Sequence, residues 1–246
     1  MEVKFNERSE TDVAVLHSCS AHNILSEAFF TSLRVEKENL PTAVRGMIGM
    51  CHLDVEFPRG LKLAQLPFLI TSTPRSGAAV QVLGTDTMRR FKKVMFCMGG
   101  EYKALSYVMD SDTTIPHVSV TLNDAGEVFH KIPLDTGTSS TRIDLEQAES
   151  RNISIIPLKQ PKVKHRRNGE MTKVTHYCTC ELGILGEQYR VNMHIVNDDK
   201  SRGEPITIGR DFLQKFDRLE FDFSTETNFE QLDGVLKIAN NLETVF

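Results

Sequence analysis

The sequence predicts a β-dominated, all-β fold made of two tandem barrel-like units, each with one or two short helices. Three observations lead to this prediction. β-Branched, alternating stretches dominate the chain, as is typical of half-buried strands. Helical periodicity is scarce, and segments in the first half of the chain align with segments in the second half. Such self-similarity indicates an internal duplication.

The predicted strands are separated by turn residues. Two alternating runs, HVSVTL (117–122) and VFHKIPL (128–134), flank the turn sequence NDAG at 123–126, a pattern that favours a β-hairpin. Further predicted strands have the sequences YRVNMHIV, RLEFDF and GVLKI. Short helices are predicted within the segments 23–33, 86–91, 143–150 and 211–216.

The duplication rests on two alignments. Residues 82–96 match residues 207–221 without gaps, and residues 13–28 lie against residues 130–150. The predicted units are therefore residues 1–112 and residues 113–246. The repeated apolar positions should lie in the two cores: Leu83, Met88, Phe91 and Phe96 in the first unit, and Ile208, Leu213, Phe216 and Phe221 in the second.

Composition restricts the classes of function. The net charge of −4 over 246 residues gives no global electrostatic reason for binding nucleic acid or a membrane. Five cysteines without metal-like spacing argue against a disulfide framework, and Cys178 and Cys180 are expected to be buried packing residues. No apolar signal core or membrane-length run is present. We expect an intracellular protein, cytoplasmic with a nuclear alternative, that has no metal, cofactor or membrane partner.

Two motifs in the second unit point to a family. Asp135-Thr136-Gly137 follows an apolar strand, and some seventy residues later Ile208-Gly209-Arg210-Asp211 opens a short helix. This combination, over about residues 115–238, resembles the retropepsin-like aspartic proteases, which include retroviral, retrotransposon and Ddi-type enzymes. The resemblance implies that Asp135 is the catalytic carboxylate, that Thr136 and Gly137 support its turn, and that Gly209, Arg210 and Asp211 form a structural signature. A turn-capping aspartate is the alternative interpretation of Asp135.

The chemistry of that family needs two carboxylates. A pair that shares one proton has one lowered and one raised pKa, so a base and an acid coexist. Each retropepsin unit supplies one aspartate, and the family therefore works as a two-fold dimer. The resemblance also implies that Arg210 bonds carboxylates near the dimer interface.

The first unit lacks the second carboxylate. His17, Ser18 and Cys19 stand where the second unit has Asp135, Thr136 and Gly137. If the two units pair within one chain, Asp135 faces His17 or Ser18, and the usual dyad cannot form. His17 and Cys19 could also suggest a nucleophile and its base, but adjacent residues rarely form a working pair, so degeneration is the preferred interpretation.

The segment 157–173 corresponds to the retropepsin flap. It is strongly basic through Lys162, Lys164, Arg166 and Arg167, and Asn168-Gly169 predicts a hairpin tip. The interpretations that stay open are a flap that excludes water, a solvated hairpin tip, and a surface that contacts RNA or an acidic partner. The cluster KVKHRR is also compatible with a nuclear-localisation signal.

Two functions follow from these observations. The first is a protease-derived scaffold whose tandem units bind a peptide or protein partner without cleaving it, and the His17-Ser18-Cys19 substitution favours it. The second is an active aspartic endopeptidase, in which the second units of two chains form a homodimer that joins two copies of Asp135. Fusion of the units in one chain favours pairing within the chain.

Overall fold

A computed structural model describes residues 1–6, 8, 10–44, 46–72, 81–109, 115–123, 126–165, 171–196, 205–224 and 232–239. At residues 59, 164, 165, 171, 172, 232–235 and 237–239, the description covers the backbone only. The described chain is mainly strand with a few short helices, arranged in barrel-like sheets. The predicted β-dominated, tandem arrangement is confirmed. The predicted unit boundary at residues 112 and 113 lies outside the described residues.

The strands are β1 Glu2–Phe5, β2 Asp12–Leu16, β3 Asn23–Ser26, β4 Met47–Glu56, β5 Lys62–Thr71, β6 Gln81–Leu83, β7 Phe91–Cys97, β8 Leu105–Val108, β9 His117–Leu122, β10 Val128–Pro133, β11 Arg142–Asp144, β12 Ile156–His165, β13 Met171–Ile184, β14 Glu187–Val196, β15 Ile206–Thr207, β16 Arg218–Asp222 and β17 Leu232–Ala239. The helices are α1 Glu27–Leu33, α2 Thr85–Met88, α3 Leu145–Ser150 and α4 Arg210–Leu213, with a 3-10 turn at Pro58–Gly60.

The first unit is a closed barrel in the described part of the chain. Its strand order is β1-β2-β6-β3-β5-β4, and β1 closes the barrel by pairing with both β2 and β4. Alternating burial along β4 places Cys51, Leu53 and Val55 inside, fully buried. This period-two pattern is what a strand with one solvated face requires.

The second unit contains a sheet in the order β10-β9-β13-β14-β11-β15, and β12 pairs with β13 outside this path. The predicted hairpin of β9 and β10 is present as an antiparallel pair. The long antiparallel pair of β12 and β13 also agrees with the predicted flap hairpin, whose tip at 166–170 lies outside the described residues. In the first unit, the described strand pairing at the outer side of β4 is only an isolated bridge between Glu38 and Met50.

A third sheet joins the two units. Its order is β17-β7-β16-β8, so strands of the first unit, β7 and β8, alternate with strands of the second, β16 and β17. β16 pairs antiparallel with β7 and parallel with β8. Because each inner strand lies between two strands of the other unit, the units cannot separate without breaking backbone hydrogen bonds. The sequence did not predict this sheet.

The repeated apolar positions form the core as predicted. The eight apolar residues that the alignments selected, four in each unit, are all buried, and none is more than 5% exposed. The helices are shorter than predicted at their N-termini in two places. Residues 23–26 form β3, and α1 begins only after Ser26, whose hydroxyl accepts a hydrogen bond from the amide of Phe29 at 3.2 Å. Asp144 caps α3 in a similar way, through the amide of Glu146 at 2.9 Å.

Candidate functional site at the junction of the two units

Two equivalent turns meet where the units contact each other. In the first unit, the amide of His17 donates to the carbonyl of Leu83 at 3.0 Å. In the second unit, the amide of Asp135 donates to the carbonyl of Ile208 at 2.8 Å. The strand before each turn is thus attached to the residue before the signature glycine, so His17 and Asp135 occupy corresponding positions.

The turns are joined by a reciprocal set of hydrogen bonds. The Ser18 hydroxyl donates to the carbonyl of Leu134 and accepts from the amide of Thr136 at 3.1 Å. The Thr136 hydroxyl, in turn, donates to the carbonyl of Leu16 at 3.1 Å and accepts from the amide of Ser18 at 3.1 Å. Ser18 and Thr136 are both buried. These bonds cross the unit boundary four times and fix the spacing of the two turns.

Asp135 has a partner in its own chain, and that partner is His17. Asp135 Oδ1 lies 2.7 Å from His17 Nε2, and both side chains are about 90% buried. The same carboxylate accepts from the amides of Gly137 at 2.9 Å and Thr138 at 3.1 Å, and from the Thr138 hydroxyl at 2.7 Å. The imidazole therefore stands where a dyad would place its second carboxylate.

These contacts set the protonation state of Asp135. Burial by itself would raise the pKa of the carboxyl, but the hydrogen bond and charge of His17, with the bonds from Thr138 and Gly137, lower the pKa of Asp135 far below its usual range. Asp135 is ionised at neutral and mildly acidic pH. A carboxylate in that state can accept a proton or orient an imidazole, but it cannot act as the general acid of an aspartic protease.

The His17 ring leaves no space for a side chain at residue 137, which is a glycine. A Cβ atom at residue 137 would lie 2.3 Å from His17 Nε2 and 2.4 Å from His17 Cδ2. Real Cβ atoms do not approach other atoms so closely, so any side chain here displaces the imidazole. The corresponding position of the first unit has space for a side chain. It is occupied by Cys19, whose Sγ lies 3.5 Å from the carbonyl of Leu134.

The signature glycines support both turns in the same way. A Cβ on Gly84 would lie 2.5 Å from the carbonyl oxygens of Ser20 and His22, and one on Gly209 would lie 2.3 Å from the backbone of Ser140. Only a residue without a side chain allows this approach of two backbones. These glycines are the N-cap residues of α2 and α4, which begin at the next residue.

The remaining signature residues behave differently from each other. Asp211 Oδ1 accepts from the amide of Thr141 at 2.6 Å and from the Thr141 hydroxyl at 2.8 Å, which ties α4 to the strand after the Asp135 turn. The Arg210 side chain is half-buried, and it forms no hydrogen bond or ion pair with any residue in the described part of the chain. The described residues provide no carboxylate partner for Arg210, and the role implied by the resemblance stays a prediction.

The flap residues are described only in part. Lys162 is exposed in β12, and its Nζ lies 3.4 Å from Nε2 of His194 in β14. For Lys164 only the backbone is described, and Arg166 and Arg167 lie outside the described residues. Cys178 and Cys180 are buried on one face of β13, with their Sγ atoms 3.8 Å apart, as packing residues should be.

Sequence reasoning missed two features of the site. It treated Ser18 as part of a degenerate motif, whereas Ser18 forms the same bonds as Thr136. The signal was a hydroxyl residue at the matching position of both units. It also did not relate Arg142 to His194, its partner across β11 and β14, or His194 to Lys162, which contacts it, because only the fold brings these strands together.

Within the described ranges, no group of three or more His, Cys, Asp or Glu residues could hold a metal ion. None of the described helices is long and apolar enough to cross a membrane. No protein-family model matches the chain, and no curated protein matches it. The retropepsin resemblance therefore stays a prediction from the motifs.

Proposed function

We propose that this protein is a protease-derived interaction protein, whose two paired units bind an extended peptide or a protein segment without cleaving it. The observation that carries the proposal is the 2.7 Å hydrogen bond between His17 Nε2 and Asp135 Oδ1. Through this bond, the partner of Asp135 is an imidazole and not the second carboxylate that an aspartic protease requires. Hydrolysis by the aspartic mechanism needs a protonated and an ionised carboxyl group together.

Pairing within the chain supports the proposal. Ser18 and Thr136 exchange hydrogen bonds across the unit boundary, and β16 lies between β7 and β8. Tyr102 of the first unit also packs against Tyr189 and Phe216 of the second, with ring centroids 4.8 and 5.5 Å apart. The alternative enzyme, built from the second units of two chains, would have to give up these contacts before two copies of Asp135 could meet.

Binding of a peptide is inferred from the β12–β13 hairpin of the second unit. The second unit keeps the β12–β13 hairpin, the element that covers substrate in the resembled family. The described part of the first unit has only the Glu38–Met50 bridge at the corresponding position. A site with one such hairpin is open on the other side, which suits a bound segment that is held and not enclosed. An intracellular location stays a prediction.

The test combines binding and cleavage. A library of unstructured decapeptides is incubated with the wild-type protein and with Asp135→Asn at acidic and neutral pH. Mass spectrometry then identifies retained peptides and cleavage products. We expect retained, intact peptides and no turnover with either protein. Peptide hydrolysis by the wild type that disappears in Asp135→Asn would establish the enzyme instead, and a dimeric mass in solution would assign it to two chains.

A further inference from the structure

We propose that the bound segment carries an acidic side chain, recognised by a cationic cluster formed by Arg142, Lys162 and His194. This inference rests on the proposed function and specifies the chemistry of its partner. The three residues belong to β11, β12 and β14 of the second unit. The sequence identifies Lys162 as a basic residue of the flap, but no motif relates it to Arg142 or His194.

The cluster is established by register and distance. Arg142 is the Cα partner of His194 in the parallel pair of β11 and β14, so the two residues are neighbours across adjacent strands. Lys162 Nζ approaches His194 Nε2 to 3.4 Å from the flap strand. Because an ammonium group only donates, His194 Nε2 is the acceptor of that contact. A lysine of the flap strand thus contacts the imidazole of His194, and an arginine occupies the paired position on the neighbouring strand.

The two cations of the cluster, Arg142 and Lys162, are not neutralised by a carboxylate of the described residues. Neither Arg142 nor Lys162 forms an ion pair with a described residue. Other arginines of the second unit do: Arg151 lies 2.6 Å from Glu127, and Arg218 lies 2.7 Å from Glu220. Two neighbouring cations repel each other, and an anion placed between them removes this repulsion and forms charge-assisted hydrogen bonds.

The strands that carry Arg142 and His194 are hydrogen-bonded to the residues that support the Asp135 turn. Thr141, the residue before Arg142, bonds to Asp211 through its amide and hydroxyl, and its carbonyl accepts from the amide of His194 at 2.9 Å. The same threonine hydroxyl accepts from the amide of Gly209 at 3.1 Å. The backbone that carries the cluster is therefore fixed to the support of the turn. In the proposed complex, the segment held beside the turn extends under the hairpin to the cluster.

Charge distribution favours an acidic peptide. Residues 156–176 contain six Lys or Arg and one acidic residue, Glu170, so this segment carries +5. Since the whole chain carries −4, the remainder carries −9. The positive charge is concentrated in this segment of the sequence, and a local excess of one sign attracts partners of the opposite charge.

Two features favour a peptide side chain over single-stranded RNA and over strand addition. Residues 156–176 contain no Phe, Tyr or Trp, and proteins that bind single strands rely on aromatic side chains to stack bases. Pro157 and Pro161 in the edge strand β12 lack the amide hydrogen that an added strand would need. Since base stacking and strand addition are both disfavoured, we expect the charged side chains to recognise the bound peptide.

The experiment uses positional-scanning decapeptides with the full chain, compared by fluorescence anisotropy. Peptides with Asp or Glu at one position should bind about tenfold more tightly than those with Asn or Gln there, the difference expected for a charge-assisted hydrogen bond. Arg142→Gln and Lys162→Gln should each remove most of this preference. Lys103→Gln, at an exposed lysine of the first unit, is the matched control and should leave it unchanged.

Each other outcome overturns a defined part of the account. If peptides bind with no acidic preference, or if the preference survives Arg142→Gln and Lys162→Gln, the proposed cluster is wrong and the binding function stands. If no peptide binds, the binding function itself fails. If an oligouridylate probe binds more tightly than every peptide and the two variants abolish its binding, the partner is a nucleic acid and the acidic-peptide proposal is wrong.

Discussion

The contact between Gly137 and His17 predicts a large cost for a single methyl group. In Gly137→Ala, the new Cβ would lie 2.3 Å from His17 Nε2, the atom that bonds to Asp135. The His17 side chain is about 90% buried, so the ring has little free space. We expect the imidazole to move away from the carboxylate or the two turns to separate. Either response breaks the hydrogen bond that joins the units at their centre.

The magnitude follows from two contributions. A buried hydrogen bond to a charged group contributes about 1.5–3 kcal/mol, and inserting a methyl group into a packed site costs about 1–3 kcal/mol. The free energy of unfolding should therefore fall by about 3–5 kcal/mol. This is a large part of the stability of a typical domain, about 5–15 kcal/mol.

Urea denaturation at neutral pH measures this change, and a double-mutant cycle isolates its cause. His17→Ala removes the ring that collides with the new methyl, so His17→Ala/Gly137→Ala should be at least about 1 kcal/mol more stable than the two single effects predict. Cys19→Ala, at the corresponding position of the first unit, is the control and should cost less than about 1 kcal/mol. A Gly137→Ala protein within about 0.5 kcal/mol of the wild type, or additive effects in the cycle, would refute the reasoning.

Three further predictions concern the same junction. Ser18→Ala should lower the free energy of unfolding by about 2–4 kcal/mol in urea denaturation, because it removes the hydroxyl partner of the buried Thr136 amide and the hydroxyl donor to the Leu134 carbonyl. A loss below about 0.5 kcal/mol would contradict this. Because the pKa of Asp135 is lowered in the folded protein, its stabilisation is present above the unfolded value of about 4 and is lost as the pH falls below it. His17→Asp should reverse that slope, since two adjacent carboxylates raise one pKa of the pair, and denaturation midpoints from acidic to neutral pH distinguish the two directions. Gly209→Ala should prevent stable folding, because its Cβ would meet backbone and not a side chain, and a soluble variant with an unchanged midpoint would be the contrary result.

Much of the fold could be predicted from the sequence, because strand periodicity and turn composition are local. The β9–β10 hairpin and the eight repeated core positions are examples. The shared sheet could not be predicted, because which strand lies beside β16 depends on the docking of two units and not on any local pattern. The start of α1 was placed too early because the apolar pair within Asn23–Ser26 suits both a helix and a buried strand.

The site, like the fold, has features that the sequence predicts and features that it does not. The Asp135 turn and the signature glycines are visible as short motifs, since each residue type is required by its own backbone geometry. The roles of His17 and Ser18 are set by atoms more than one hundred residues away in the chain. The sequence could show that a carboxylate was missing, but only the packed turns show that an imidazole fills its place. For Arg210 the motif implies a role for which the described residues provide no partner, and that role stays a prediction.

The measurement that tests the central claim most directly is nuclear magnetic resonance of the full chain with labelled histidine. The account predicts a low-field proton on Nε2 of His17, hydrogen-bonded to Asp135 of the same chain. That signal should disappear in Asp135→Asn and His17→Ala, and it should be unchanged when the wild-type protein is diluted a hundredfold. A wild-type protein without this signal, or a signal that fades on dilution because the contact forms between two chains, would contradict the pairing of the two units within one chain.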